Sequence, residues 1–191
     1  MTVSTNLKPD WVKDNNIFFE DERFIRIIKF FVVHCPCNDV SAKQISLSDY
    51  GWSNPWSKPY YLNKQLKEVA NKDLLLCVAS NYDNMEKELH NAALYPMFPS
   101  DLSNERICIY DCKKNQFMSI FYHIRNAFAH GRFDFRILND EEYYILEDVQ
   151  PRKNTRELKV SARMILKKST LIKWIDIIEN GEKEYISTNN Q

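Results

Sequence analysis

Arg125, Asn126 and His130 fall within six residues of one another in the apolar stretch "FYHIRNAFAHGRF" (Phe121–Phe133). These are the residue types that metal-free RNA cleavage requires. RNA carries its own nucleophile, the 2′-hydroxyl. The reaction needs a base for that proton, an acid for the departing 5′-oxygen, and a cation on the phosphate. Histidine titrates in the right range for either proton role. Arginine grips phosphate oxygens with a planar, two-pronged and always charged group. Asparagine can orient the histidine or the phosphate. One copy of the set supplies one such histidine, so a homodimer with a composite site would bring the second across a two-fold axis.

These residues can only act together if a helix positions them. At about 100° per residue, Asn126 and His130 share a face with Tyr122, and Arg125 lies beside it. Phe117, Ile120, Phe121, Ile124 and Phe128 form a separate apolar face, and Gly131 suits the position just past the end. The polar residues then form one corner at the helix C-terminus. The same placement has a structural reading, because Arg and His near a helix C-terminus favour its dipole by about 0.3–1 kcal/mol each. Tyr122 either supports the corner from behind or packs in the core. Arg132 either extends a basic patch or caps the helix end. His123, about 200° from Arg125, is expected to face away from the corner, at the surface or half-buried.

The surrounding elements read as follows. A loose arm is expected over residues 1–16, then a helix with Phe24, Ile27, Ile28 and Phe31 on one face and Pro36 beyond it. Residues 45–60 form an ordered loop, and "YLNKQLKEVANKD" a short helix. "DLLLCVASNYDNMEKELHNAALYP" is expected to be a longer helix, with Leu75, Val78, Ala79, Tyr82, Met85 and Leu89 as its stripe. "NERICIYD" reads as a short strand. After residue 131, "FDFRI", the turn "LNDEE" and "YYILEDV" read as a β-hairpin, and "ELKVSARMIL" as a third strand. "KSTLIKWIDIIEN" is a helix, with Ser169 or Thr170 as cap and Gly181 as stop.

Composition narrows the function classes. The 191 residues are 44% hydrophobic and 27% charged, ordinary globular usage, and long enough to bury a core. Formal net charge is +0, so a polyanionic partner would need a local basic surface. With Gly at only 3 positions there is no GxxxxGK[ST] and no GxGxxG loop. No apolar run is long enough to suggest a membrane span. The 5 cysteines, an odd number, speak against a secreted disulfide scaffold, so a cytoplasmic protein is expected. Cys35, Cys37, Cys108 and Cys112 have the donor types for zinc, but their spacing and apolar neighbours fit buried thiols better, so no metal and no cofactor are expected. His90, beside Glu86 and Glu88, reads as part of a solvated face. Tyr50, Trp52, Trp56, Tyr60 and Tyr61 could stack on unpaired bases, but aromatics among prolines fit a loop packed on a core better. "QPRKNTRELK" reads as a solvated basic connection. "EEYYILED" is acidic and is expected to lie outside any RNA path.

The motif "HIRNAFAHGRF" resembles the signature of the HEPN superfamily (higher eukaryotes and prokaryotes nucleotide-binding). Its ribonuclease members carry Arg, then four to six residues, then His, often with Asn after the Arg. Arg125, Asn126 and His130 match with a spacing of four. The resemblance implies a mainly α fold: a HEPN-like helical bundle over about residues 20–131, followed at 132–181 by a small antiparallel β-hairpin or meander and a C-terminal helix, in a single domain spanning 1–191. It implies a dimeric, metal-independent endoribonuclease leaving 2′,3′-cyclic phosphate and 5′-hydroxyl ends, in a toxin or anti-phage defence role, with an antitoxin or regulatory protein as a possible partner. The alternative is a non-catalytic HEPN scaffold binding a nucleotide or protein. One toxin branch has a tyrosine two residues after the histidine, which an antitoxin modifies; this chain has Arg132 there.

Overall fold

A computed structural model of the chain describes residues 2–3, 21–37, 40, 43–56, 62–70, 74–99, 102, 104–112, 115–151 and 158–189. Strand β1 (Thr2–Val3) is followed by helices α1 (Glu22–Ile28) and α2 (Leu62–Val69), strand β2 (Leu75–Ala79), helix α3 (Met85–Asn91) and strand β3 (Arg106–Tyr110). Helix α4 (Gln116–Ala129), strands β4 (Phe133–Leu138), β5 (Glu141–Pro151) and β6 (Leu158–Lys167), and helix α5 (Lys168–Asn189) complete the order.

The expected mainly α bundle is overturned. The strands form one mixed sheet in the order β2-β3-β6-β5-β4, with β1 also pairing β6. β2 and β3 are parallel, joined through α3; β3–β6, β6–β5 and β5–β4 are antiparallel. The hairpin and third strand expected after residue 131 are present, but they join β2 and β3 rather than append to a helical bundle. The misreading lies in "LLLCVA". A continuous apolar run of this length fits a buried helix or a buried parallel strand equally well, and periodicity cannot separate them. Only Met85–Asn91 of the long helix expected there is α-helical. Thr2 and Val3, expected in a loose arm, pair with Lys159 and Leu158. The rest of that arm lies outside the described residues.

Two apolar cores flank the sheet. The larger includes Phe24, Leu66, Phe121, Ile124 and Trp174 from α1, α2, α4 and α5, and Phe31 from the turns that follow α1, against Ile107, Ile109, Leu146 and Met164 of the strands. The smaller packs Met85, Leu89 and Leu94 on Cys108, Ile145 and Ile165. The stripe expected on α4 is buried as anticipated, with Phe117, Ile120, Phe121 and Ile124 all at 0% exposure. After Ile28 the first helix widens into a π-helix over Lys29–His34. This turns the consecutive residues Phe30 and Phe31 both inward, edge to face at 5.1 Å.

Local signals fix the ends of α4. The Asn115 Oδ1 accepts from the backbone N–H of Phe117 (2.9 Å) and Met118 (3.4 Å), satisfying donors that the helix cannot. At the other end the Arg132 N–H reaches the Ala127 carbonyl (2.8 Å) and the Gly131 N–H that of Phe128 (3.2 Å). This closure needs a left-handed residue, and Gly131 has φ 64. At the hairpin tip Asn139 and Asp140 both take positive φ, which their short polar side chains tolerate.

Helix α5 leaves β6 without a loop. Neither expected cap serves: Ser169 donates to Glu141 Oε1 (3.0 Å) and Thr170 to Glu105 Oε2 (3.0 Å). The buried Glu105 caps instead, accepting from the backbone N–H of Lys167 at 2.8 Å. Gly181 breaks the helical path, as expected, with φ 74. Among the described residues no helix is long and apolar enough to cross a membrane.

Candidate functional site

Strand β5 and helix α4 cross so that the polar face of the helix meets a carboxylate. Asp148 lies beside a break in the β5–β6 register between Asp148 and Val149. Its Oδ2 accepts from His123 Nδ1 (2.7 Å), Ser161 Oγ (2.9 Å) and Asn126 Nδ2 (3.3 Å). Asn126 Oδ1 in turn accepts from Arg125 Nη1 at 3.0 Å. A chain of polar contacts therefore runs from β6 through β5 to Arg125, which is half-buried. The Arg125 Nε is buried and has no hydrogen-bond partner among the described residues.

The three motif residues take different positions. Asn126 is buried (7% exposed) and Arg125 rests on it. His130 caps the helix end and is exposed. Its backbone N–H closes on the Asn126 carbonyl (3.0 Å), and its ring has no hydrogen bond or ion pair among the described residues. Helix geometry alone puts Asn126 and His130 on one face. The sheet separates them, covering Asn126 and leaving the final residue in water.

Tyr122 is half-buried, and its hydroxyl accepts from Gln150 Nε2 at 3.5 Å. Arg132 neither caps the helix with its side chain nor faces outward. Its guanidinium pairs with Glu147, whose other oxygen accepts from Arg163 Nε (2.9 Å). Arg163 Nη1 also donates to the carbonyls of Leu94 (2.8 Å) and Pro96 (2.7 Å). The acids expected to repel RNA, Glu147 and Asp148, are thus spent on internal partners. His90 is exposed as expected and lies against the Tyr95 ring, centroids 4.1 Å apart.

His123 is the residue that sequence reasoning misplaced. It is 0% exposed, and its Nε2 lies 2.8 Å from the Tyr110 carbonyl and 3.7 Å from Cys112 Sγ. Burial opposes charge on the ring, but hydrogen bonds to Asp148 and then Cys112 outweigh it and raise its pKa to about 9. The signal available in the sequence was the spacing of three between His123 and Asn126, which puts both on one helical face.

The cysteines are not gathered. Cys35 and Cys37 touch (Sγ–Sγ 3.7 Å) in the larger core, where Cys37 reaches the Met118 carbonyl (3.7 Å). Burial pushes the Cys35 thiol well above its ordinary range, and the contact with Cys37 adds to this, while the charge of Arg125 opposes it. Cys108 lies on the opposite sheet face, in register with Cys77. Among the described residues no group of three or more His, Cys, Asp or Glu could hold a metal ion.

The aromatic loop packs inward, as expected. Trp52 is buried and donates to the Ile178 carbonyl (3.1 Å), and Tyr50 donates to that of His34 (2.8 Å). Tyr60 and Tyr61, and most of the basic connection, lie outside the described residues. No family model, curated protein or solved structure matches this chain.

Proposed function

We propose that the chain is a metal-independent endoribonuclease that cleaves RNA by attack of the 2′-hydroxyl. Its products are 2′,3′-cyclic phosphate and 5′-hydroxyl ends. One observation carries the reading: a guanidinium anchored on Asn126, with a buried Nε that has no partner among the described residues, stands on the same last turns of α4 that end in an exposed imidazole. Arg125 holds the scissile phosphate, Asn126 fixes the arginine, and His130 transfers the proton. A second copy of the chain supplies the second proton-transfer histidine across a two-fold axis. The HEPN-like motif supports this assignment at the level of about a dozen residues. It also supports a toxin or anti-phage role under an antitoxin or other regulatory protein, and the odd cysteine count supports a cytoplasmic setting.

The test is incubation with RNA in EDTA, comparing the wild-type chain with His130→Ala, with end-group analysis of the products. We expect cleavage by the wild type to cyclic-phosphate ends and its loss in the variant. Cleavage that persists in His130→Ala, or that needs added metal, would overturn the assignment. Solution mass provides an independent check, since a strict monomer lacks the second histidine.

One observation favours a second reading, a non-catalytic scaffold binding a nucleotide or protein. Asn126 spends both ends of its amide inside the protein, as a residue selected for packing would. Under this reading neither wild type nor variant cuts RNA.

A further inference from the structure

We propose that Cys112, His123 and Asp148 form a separate reactive centre: a nucleophilic thiol with its imidazole and orienting carboxylate, accepting an acyl group from an activated ester. The proposal has different reacting groups from the ribonuclease reading, using neither Arg125 nor His130, and shares with it only the contact between Asn126 and Asp148.

The geometry is that of a nucleophile, a proton carrier and an orienting acid. Cys112 follows the last residue of β3 by two positions, just before the cap of α4, and is half-exposed. Its Sγ lies 3.7 Å from His123 Nε2, while Nδ1 of that ring is held 2.7 Å from Asp148 Oδ2. The carboxylate is itself fixed by Ser161 (2.9 Å) and Asn126 (3.3 Å), so the ring has one orientation. Both ring nitrogens face acceptors: Asp148 on one side, the Tyr110 carbonyl (2.8 Å) and the Cys112 sulphur on the other. A ring so placed is best satisfied carrying both protons, leaving the sulphur as acceptor and nucleophile.

The remaining cysteines lack this setting. Cys35, Cys37 and Cys108 are buried. Cys77 is half-exposed, but burial and then the Glu88 charge hold its thiol up.

In the reaction the Cys112 sulphur attacks the ester carbonyl carbon. A C–S bond forms, the C–O bond to the leaving oxygen breaks, and that oxygen takes the Nε2 proton of His123. Water then attacks the thioester, gives a proton back to His123, and releases the carboxylic acid and the free sulphur.

Two measurements test this. The wild-type chain is mixed with p-nitrophenyl acetate, and both the p-nitrophenol burst and the acetylated residue are read. A burst with the acetyl group on Cys112 is expected; no burst, or acetyl on another residue, overturns the proposal. Iodoacetamide labelling is then followed residue by residue in the folded chain, where Cys112 should react roughly tenfold faster than Cys77. The Asp148→Asn variant should bring that rate down toward that of Cys77. Equal rates for the two cysteines in the wild type would overturn the proposal as well.

Discussion

His123 Nδ1 and Asp148 Oδ2 meet at 2.7 Å with 0% and 2% of their side chains exposed, so α4 and β5 share a buried imidazole–carboxylate pair. Its proton makes stability depend on pH. The imidazole titrates near 6.5 in the unfolded chain and about 9 in the fold. The raised value means that the stabilisation is fully present below pH 6.5 and is lost as pH rises through about 9. Its size is on the order of 3 kcal/mol. Urea midpoints should therefore fall across that window in the wild type and change less in Asp148→Asn. A level midpoint in the wild type would show a neutral ring in the fold.

Glu147 carries two arginines, with Arg132 on one oxygen and Arg163 on the other. Glu147→Ala removes the only carboxylate among the described residues that faces both guanidinium groups, leaving Arg163 just the Leu94 and Pro96 carbonyls, and should cost about 3–5 kcal/mol. Glu147→Gln, which keeps the acceptor but not the charge, should cost less. Chemical denaturation distinguishes them; equal losses would mean that the charge accounts for the whole effect and the neutral acceptor adds nothing.

Gly131 and Gly181 both have positive φ, 64 and 74, but differ in their surroundings. A Cβ on Gly131 meets open space, so Gly131→Ala should cost only the left-handed strain, about 1 kcal/mol. A Cβ on Gly181 would stand 2.4 Å from the Tyr50 carbonyl oxygen, so Gly181→Ala should cost more and disturb the Tyr50–Trp52 loop. Melting temperatures of the two variants should rank in that order.

Trp174 is fully buried, edge-on to Phe117 at 5.7 Å and donating to the Leu66 carbonyl at 2.7 Å. Trp174→Ala should lose about 3–5 kcal/mol. Trp174→Phe should lose less, since it keeps an aromatic ring there while leaving the Leu66 acceptor unmet. Similar losses for both variants would place the value of this side chain in its N–H rather than its volume.

Arg125→Lys keeps the charge and removes the planar fork that rests on Asn126. Under the ribonuclease reading, cleavage should fall roughly tenfold to a hundredfold, with stability changed by under about 1 kcal/mol. Full activity with lysine would show that a point charge suffices.

Much of the secondary structure was legible because short-range signals set it. The stripe on α4, the hairpin turn at Asn139 and Asp140, and the stop at Gly131 are all local. The sheet was less legible. Nothing near Leu75–Ala79 announces a partner, and the strand exists because Arg106–Tyr110 pairs beside it. The site shows the same division. The spacing of Arg125, Asn126 and His130 is visible in the sequence, but the carboxylate that fixes Asn126 arrives from 22 residues further along. That same carboxylate turns His123 from an expected surface residue into a fully buried one.

The position of β6 between β3 and β5 sets an order of assembly. The parallel pair β2–β3 exposes an open hydrogen-bonding edge until Leu158–Lys167 has been made and inserted. The β4–β5 hairpin can close on its own, but it reaches the rest of the sheet only through that strand. On the ribosome the nascent chain must therefore carry an unpaired edge from the completion of β3 at Tyr110 until β6, which starts at Leu158, has been made, a state open to mispairing with other chains and to chaperone capture. A truncation before β6 would leave two separate sheet fragments, and would remove Ser161, one of the three groups that hold the Asp148 carboxylate.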